Sequence, residues 1–479
     1  MGLTFGGGNA SERQILSRKV KAGTLVKLHS GIYTDQTDRS PSDIVRENIW
    51  EIAAHLFPAG VISHRNALDP RPTPEGLFFV THKRNQRTGI HGITFVEING
   101  PGPIEGDHQV GSFNIYQSQY ERALLENLQA SRGHVSKSLG KEFVEQELYE
   151  RLLRGGEIEL NRIRDAARKI AGQVQMKKEF TTLNGIIGGL LNTMSAKGLS
   201  TDVGQAMAKG EPYDADRIKM FESLAVDLDK GNFVHYSMLA DTSTNFNFSF
   251  FEAYFSNYIE GTILTVDEAK KVIETNAPLP NKRNDSHDVL GTFKLTNDLI
   301  EMSIVPKNAE ELIQILQKRH SILLQSRTEK KPGLFKQVNN QAGSYRFVDH
   351  RLVVGTFRRA FKFYEFLKNP VARAFFVMFL IAEIHPFEDG NGRIARLMMN
   401  GELTAAKLCK VIIPTVYRTD YLGALRAMSN NYNSIPFSRM LKRAHEFSST
   451  VNQPDFQSML DYLERCHAFE TDPGDILRF

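Results

Sequence analysis

Residues 385–396 constrain the fold and chemistry of this chain more than any other segment, and they read His-Pro-Phe-Glu-Asp-Gly-Asn-Gly-Arg-Ile-Ala-Arg. An apolar run, Val377 to Ala382, precedes them and predicts a buried helix. Pro386 breaks that helix, and the glycines predict a tight loop before a second helix. The segment therefore predicts helix, loop, helix, with polar groups crowded into the loop.

The polar groups of this segment suit a polyphosphate ligand. The N-terminus of a helix presents free N–H groups and a positive dipole end to an anion, and glycines let the backbone approach closely. Arg393 and Arg396 share one face of the second helix, and guanidinium groups match phosphate oxygens. Asp389 is a candidate Mg²⁺ ligand and His385 a candidate general base. Together they predict transfer of a nucleotide phosphate to a hydroxyl.

The segment also matches, at every constrained position, the motif of the Fic family, His-x-Phe-x-Asp/Glu-Gly-Asn-Gly-Arg-x-x-Arg. The resemblance implies transfer of AMP from ATP to a protein Ser, Thr or Tyr hydroxyl, with release of pyrophosphate. It implies His385 as the base and Asp389 as the ligand of Mg²⁺ (or Mn²⁺). The implied phosphate-binding residues are Gly390, Asn391, Gly392, Arg393 and Arg396. Members that transfer phosphate carry Lys in place of Gly392, so Gly392 favours AMP transfer.

A second motif lies upstream, at Ser256 to Gly261. Aromatic residues at helical spacing precede it, and Gly261 predicts the end of that helix. The segment resembles the inhibitory helix of Fic proteins, Ser/Thr-x-x-x-Glu-Gly/Asn. That resemblance implies that Glu260 pairs with Arg396 and fills the space of the γ-phosphate. The enzyme is then expected to be largely inactive in its resting state. In some relatives the same glutamate supports removal of AMP, and the sequence leaves that activity open.

Two further elements follow from the resemblance. Residues 333–338 and 344–348 predict two strands joined by a turn, where Fic proteins place a hairpin that pairs with the extended target segment. Phe347 is expected to lie near the target side chain, although an ordinary surface hairpin is the alternative. Tyr421 stands where many members keep an aromatic residue that contacts the nucleoside, and a core tyrosine is the alternative.

The N-terminal part predicts a different kind of module. A helix at 12–22 is followed by two short strands, and Leu28, Gly31 and Tyr33 match the wing of the winged-helix domain in abortive-infection antitoxin-type regulators. A helix over 62–68 and strands over 77–81 and 92–98 are expected next. The resemblance covers residues 10–170 and makes DNA a possible partner, with phosphate contacts from Lys83, Arg84 and Arg87. No broad basic face is evident, so protein contact is nearly as good an interpretation.

Composition bounds the class of protein. The chain has 479 residues, 41% of them hydrophobic, and a net charge of +4, which by itself implies no nucleic-acid partner. Cys409 and Cys466 have no paired spacing, so neither a disulfide framework nor a zinc site is expected, and a cytoplasmic location fits. The start of the sequence predicts no signal peptide. The longest apolar run, 371–384, is too short to cross a membrane.

The predicted fold class is mainly α, a Fic helical bundle with a β-hairpin flap, preceded by a smaller α+β winged-helix-like module. The expected domains are a regulatory module at 1–172, a helical connector at 173–244, the catalytic domain with its inhibitory helix at 245–450, and a C-terminal helical segment at 451–479.

The predicted function is a protein adenylyltransferase that uses ATP, inhibited by Glu260. Its target is an unknown protein, with the enzyme itself as one candidate. The alternatives are a DNA-binding, antitoxin-like regulator whose Fic domain modifies itself, and a Fic variant that removes AMP or transfers a phosphoryl group.

Overall fold

The computed structural model describes residues 2–6, 8–131, 136–238, 242–472 and 474–479. The described chain forms two compact units, 1–210 and 211–479. Their boundary falls inside the segment expected to be a connector, 173–244, whose helices are therefore divided between the two units. Met1 and Gly7 of the N-terminal segment, and residues 239–241 of the expected connector, lie outside the described residues.

The first unit combines two sheets with short and long helices. Its strands are β1 (Leu3–Phe5), β2 (Val26–His29), β3 (Ile32–Thr34), β4 (Gly60–Ile62), β5 (Leu77–His82), β6 (Gln86–Ile90), β7 (Ile93–Asn99), β8 (His108–Gln109) and β9 (Ile115–Gln117). Its helices are α1 (Ala10–Lys21), α2 (Pro41–Glu47), α3 (Ile49–Leu56), α4 (Arg65–Leu68), α5 (Tyr120–Asn127), α6 (Lys141–Ala171), α7 (Lys177–Leu190) and α8 (Asp202–Ala208).

The small sheet has the order β1-β3-β2 and the larger one β6-β7-β5-β4-β9-β8. In the larger sheet β5 runs parallel to β7 and β4 parallel to β9. The predicted helix and strand pair near residue 30 are present as α1, β2 and β3. The long helix α6 is broken near its middle, because Gly156 leaves helical geometry at φ 65°.

One helix prediction in this unit was wrong. A helix was expected over 62–68, but Ile62 ends β4 and the helix spans only Arg65–Leu68. His64 has a φ of 55°, which is incompatible with a right-handed helix. Its backbone N–H donates to buried Glu126 at 2.8 Å instead.

The second unit is a helical bundle with one small hairpin. Its helices are α9 (Ala215–Asp229), α10 (Thr242–Ile259), α11 (Val266–Thr275), α12 (Arg283–Thr296), α13 (Leu299–Met302), α14 (Ala309–Leu323), α15 (Val353–Phe366), α16 (Pro370–Ile384), α17 (Asn391–Ala405), α18 (Arg418–Asn431), α19 (Ser434–Thr450) and α20 (Phe456–Arg465). The hairpin strands are β10 (Gln341–Ala342) and β11 (Tyr345–Arg346). The predicted class, a mainly helical fold with a smaller α+β region before it, is confirmed.

Helix α16 forms the centre of the bundle because nearly all of its side chains are apolar and buried. Helix α10 lies beside α17, and its phenylalanines Phe248, Phe250, Phe251 and Phe255 are buried in the core. Burial of each such ring stabilises the fold by roughly 1.5–3 kcal/mol. The site elements at the ends of α10 and α16 are therefore held by a rigid interior.

The hairpin differs from its prediction. The first strand was expected over 333–338 and is found at Gln341–Ala342, paired with Tyr345–Arg346. The backbone N–H of Lys336 donates to the carbonyl of Pro386 at 2.8 Å. That hydrogen bond is directed to the loop after α16, so the β-prone segment does not pair with 344–348.

Candidate functional site

The loop after α16 is built by local sequence chemistry. Helix α16 ends at Ile384, and His385 caps it in the left-handed conformation at φ 52°. Asn391 then closes the loop, because its Oδ1 accepts from the Phe387 N–H at 2.8 Å and its Nδ2 donates to the Phe387 carbonyl at 2.9 Å. Asn391 is 3% exposed, so both hydrogen bonds are shielded from water. This clamp fixes the backbone between His385 and the start of α17.

The imidazole of His385 is held in one tautomer. Its Nδ1 lies 3.1 Å from the carbonyl of Ala382, which only accepts, so Nδ1 carries the proton and Nε2 is the basic nitrogen. The ring stacks on Phe347 with centroids 3.8 Å apart and planes 7° apart. Burial lowers the pKa of His385 to about 4, against a smaller upward effect of the Ala382 hydrogen bond. The side chain is therefore neutral, and able to accept a proton, at neutral pH.

This environment predicts the acid limb of the pH–rate profile. Activity that needs neutral His385 is lost as pH falls through its folded-state pKa, so at pH 5 about nine-tenths of the base remains neutral if that pKa is about 4. An unperturbed histidine would be almost entirely protonated there. The measurement is kcat/KM between pH 4 and 8, which reports the free enzyme. A midpoint near 6.5 would contradict the prediction.

Asp389 lies in the same loop and is 36% exposed at its side chain. Burial opposes its ionisation, but Arg393 and the Gly390 N–H prevail and lower the pKa of Asp389. Its Oδ2 lies 3.6 Å from Lys330 Nζ. Among the described residues no three His, Cys, Asp or Glu side chains cluster as a metal site. One ionised carboxylate fits Mg²⁺ when a nucleotide supplies the remaining oxygens.

The first turn of α17 provides an open cradle. Gly390 begins it at φ 74°, a conformation that suits glycine. A Cβ on Gly392 would lie only 2.1 Å from Glu260 Oε1 and 3.2 Å from Arg396 Nη1. The first helical turn also leaves N–H groups without intrahelical partners. The backbone at Gly392 is thus approachable by an anion, and the Glu260 carboxylate lies against it.

The two arginines of the motif both pair with carboxylates. Arg393 Nη1 lies 2.8 Å from Asp288 Oδ2 on α12 and 3.4 Å from Asn257 Oδ1 on α10. Its Nη2 lies 3.5 Å from Asp389, and its Nε is buried without a hydrogen-bond partner in the described structure. Arg393 is therefore aligned along the loop by groups from three elements.

Arg396 is held by the end of α10. Its Nη2 donates to Glu260 Oε1 at 2.7 Å and to the Ser256 carbonyl at 2.7 Å, and its Nε donates to Ser256 Oγ at 3.0 Å. Arg396 is 4% exposed, whereas the Glu260 side chain is 35% exposed. Gly261 follows at φ 93° and ends the helix. Of the predicted residues, Ser256 and Glu260 thus contact Arg396, and Gly261 ends the turn that carries Glu260.

A cavity of about 860 Å³ joins these groups. Its lining combines the hairpin turn, the end of α16, the first turns of α17 and one face of α18. The lining residues include Glu260, Tyr345, Phe347, Glu383, His385, Gly392, Arg396, Tyr421 and Ser429. Tyr421 is 1% exposed, and its hydroxyl lies 3.4 Å from Arg396 Nη1.

Several supporting residues lie outside the sequence predictions. His320 stacks on Phe387 with centroids 3.6 Å apart, and its Nε2 lies 3.0 Å from the Asp389 carbonyl. Lys336 is 4% exposed and donates to Asn340 and the Ile384 carbonyl, and burial lowers its pKa to about 8. Asp288 and Asn257 align Arg393. Only Asn257, inside the Ser256–Gly261 motif, carried a local signal.

Comparisons with known proteins agree with this geometry over part of the chain. Residues 312–403 match the model of the Fic/DOC family. Curated relatives called protein adenylyltransferase Fic are 29% identical in Drosophila persimilis and 30% identical in Drosophila grimshawi, each over 199 residues and 40% of this chain. The chain spans 39% and 41% of those relatives' lengths.

Solved structures also align. Fic-1 from C. elegans is 18% identical with a TM-score of 0.35, over 68% of this chain and 97% of that one. A Fic domain containing signaling protein from Bacteroides thetaiotaomicron is 20% identical with a TM-score of 0.37, over 51% of this chain and 97% of that one.

Among the helices of the described residues, none has the length and apolar character that a membrane span requires.

Proposed function

We propose that this chain transfers AMP from ATP to a protein hydroxyl and releases pyrophosphate. The single observation that carries the proposal is the shared cavity, which brings a neutral His385, the N-terminus of α17 and the Arg396 guanidinium together beside a hairpin. These are a base, an anion cradle and a phosphate clamp within reach of one substrate. The Fic/DOC match over 312–403 and the adenylyltransferase relatives support the same activity.

The chemistry assigned to the residues is an in-line displacement. His385 Nε2 takes the proton of a Ser, Thr or Tyr hydroxyl, and the hydroxyl oxygen forms a bond to the α-phosphorus. The bond between that phosphorus and the oxygen bridging to the β-phosphate breaks, so pyrophosphate leaves. The backbone at Gly390, Asn391 and Gly392 receives the phosphates. Arg393 and Arg396 neutralise the charge that develops on the phosphate oxygens.

Asp389 would hold Mg²⁺ (or Mn²⁺) together with the phosphates of ATP. The metal ion would neutralise phosphate charge when bound. In the structure the Asp389 carboxylate faces Lys330 and Arg393 rather than a second carboxylate. Its role as a ligand is therefore assigned only in the presence of nucleotide.

Glu260 makes the resting enzyme largely inactive in this proposal. Its carboxylate pairs with Arg396 and lies against Gly392, where a phosphate would approach. The same contacts are compatible with a role for Glu260 in removing AMP from a modified target. Tyr421 and the neighbouring face of α18 are proposed to contact the nucleoside, because they line the cavity beside Arg396.

The hairpin is proposed as the docking edge for an extended segment of the target protein. Its turn is exposed, and Phe347 stacks directly on His385. Addition of a strand to this edge would align the target through backbone hydrogen bonds and bring its hydroxyl to His385. The target is an unidentified protein, and the enzyme itself is one candidate.

For residues 1–172, within the first unit, we propose a winged-helix-like regulatory module. The support is local: α1 is followed by the antiparallel pair β2 and β3, with Gly31 at φ 78° in the turn. DNA is its candidate partner through residues 10–170. The test is DNA binding by the full chain across a range of salt concentrations, since phosphate contacts weaken with salt. Absence of binding at low salt would exclude DNA.

The test of the activity uses the full chain carrying Glu260→Gly. The protein is incubated with Mg²⁺ and with ATP labelled on either the α- or the γ-phosphate. Label retained only from the α-position, and lost in the double variant Glu260→Gly/His385→Ala, is the expected result. Label from the γ-position would instead establish phosphoryl transfer, and no label from either position would exclude self-modification and favour the DNA-binding regulator.

A further inference from the structure

One carboxylate interrupts the apolar surface of α16. Glu383 is 2% exposed and lies two residues before His385 in a helix whose other inward residues are apolar. Burial of an ionised carboxylate is costly unless hydrogen bonds and cations compensate. The apolar packing of α16 does not need such a residue. The identity of its partners therefore indicates what Glu383 does.

The partners of Glu383 come from three different elements. Its Oε1 accepts from Arg217 Nε on α9 at 2.8 Å and from the hydroxyl of Tyr345 on the hairpin. Its Oε2 accepts from Ser429 Oγ on α18 at 2.6 Å. Arg217 in turn donates to the Arg346 carbonyl at 2.7 Å. One carboxylate on the catalytic helix thus joins the hairpin to the wall of the cavity.

The hairpin end of this network reaches the base. The Tyr345 ring packs edge-on against Phe347 with centroids 5.6 Å apart, and Phe347 stacks on His385. The strands β10 and β11 pair over only two residues each, so backbone pairing alone fixes the hairpin weakly. The hydrogen bond from Tyr345 to Glu383 therefore adds a side-chain constraint on where the hairpin, and with it Phe347, lies over His385.

We infer that Glu383 is a positioning residue. Through Tyr345 and Arg217 it sets the distance between the hairpin and the His385 ring. The inference rests on the proposed AMP transfer. It assigns to Glu383 neither proton transfer nor contact with ATP phosphates. Its consequence is that the orientation of the base and the placement of the acceptor are controlled from inside the bundle, by a carboxylate on the same helix as the base.

The chain offers a matched control for this network. Tyr364 on α15 donates to Glu402 on α17 at 2.7 Å, and Arg373 lies 3.8 Å from that carboxylate. This second group has the same three residue types, and its tyrosine and carboxylate are buried, but none of its members lines the cavity. Tyr345→Phe and Tyr364→Phe each remove one hydroxyl that donates to a buried glutamate. They differ in whether the carboxylate left behind supports the hairpin.

The experiment compares Tyr345→Phe, Glu383→Gln and Tyr364→Phe, each in the full chain with Glu260→Gly. Amide hydrogen exchange of residues 340–348 is measured first, since it needs no activity. Self-labelling kinetics with α-labelled ATP follow. Faster exchange in the hairpin is expected for Tyr345→Phe and Glu383→Gln. A fall in kcat of up to about 10²-fold is expected, because a shift of about 1 Å in a reacting group has that effect.

The KM for ATP should change less than kcat, and Tyr364→Phe should leave both hairpin exchange and kcat near the parent values. Unchanged hairpin exchange in Tyr345→Phe and Glu383→Gln would overturn the inference. Equal effects of all three variants would overturn it too, because they would indicate general loosening. If the Glu260→Gly parent does not label, the proposed function fails separately, and the exchange data still decide whether Glu383 positions the hairpin.

Discussion

Glu260→Gly should raise the initial rate of labelling from α-labelled ATP by on the order of 10²-fold, because removal of the carboxylate releases a phosphate-binding arginine. Two structural effects combine. Arg396 Nη2 loses its 2.7 Å contact with Glu260 and becomes available to phosphate oxygens. The space against Gly392 also becomes free. In the parent the Glu260 carboxylate fills this space, and a Cβ on Gly392 would lie 2.1 Å from it.

The fold should tolerate this change. The Glu260 side chain is 35% exposed and directly follows α10, and without it Arg396 keeps its hydrogen bonds to the hydroxyl and the carbonyl of Ser256. The anchoring of α10 lies elsewhere, in its buried phenylalanines and in the pair formed by Glu252 and Lys410 at 2.7 Å. Tm should therefore stay close to that of the parent while activity increases.

Glu274→Gly is the matched control for Glu260→Gly. Glu274 is an exposed glutamate in the last turn of α11, the helix that follows α10. Its replacement imposes the same loss of charge and the same glycine at a helix end, without touching Arg396. Equal labelling by parent and Glu260→Gly would reject inhibition by Glu260. Equal activation by both variants would assign the effect to surface charge.

Local sequence determined much of the site. Residues 385–396 are contiguous, so helix breakers, glycines and charged groups predict the loop and the start of α17 together. The same holds for Ser256 to Gly261, where helical spacing and a terminal glycine predict that α10 ends next to Glu260. The capping box at Thr265 and Glu268 is equally local, because both of its hydrogen bonds lie within four residues.

The remaining parts of the site depend on tertiary contacts that no local pattern encodes. Asp288 and Asn257 meet Arg393 only because α12 and α10 pack beside α17. No local pattern singles out Glu383, whereas in the fold it accepts hydrogen bonds from α9, α18 and the hairpin. The backbone N–H of Lys336 likewise makes a tertiary hydrogen bond to Pro386, and residues 333–338 stay out of the hairpin.

His385→Ala should abolish transfer in the Glu260→Gly background, with a loss of about 10²–10⁴-fold, the range for removal of a positioned general base. The alanine variant loses the neutral Nε2 that the Ala382 hydrogen bond leaves available. It also loses the ring that stacks on Phe347 at 3.8 Å. Because His385 makes none of the phosphate contacts assigned here, the Kd for ATP should change far less than the transfer rate.

Replacement of a second histidine, His445, is the control that distinguishes a loss of catalysis from a loss of folding. His445 shares the main features of His385: burial lowers its pKa to about 4, and its Nε2 lies 3.0 Å from the Cys409 carbonyl. It does not line the cavity with Arg396. His445→Ala should therefore lower Tm but leave the kcat of the folded protein within a few-fold of the parent, judged by active-site titration with ATP.

If His385→Ala retained transfer while binding ATP normally, the hydroxyl proton would have to leave by another route, and the assignment of His385 as the base would be wrong. If both alanine variants lost activity in proportion to their loss of folded protein, His385 would be a structural residue.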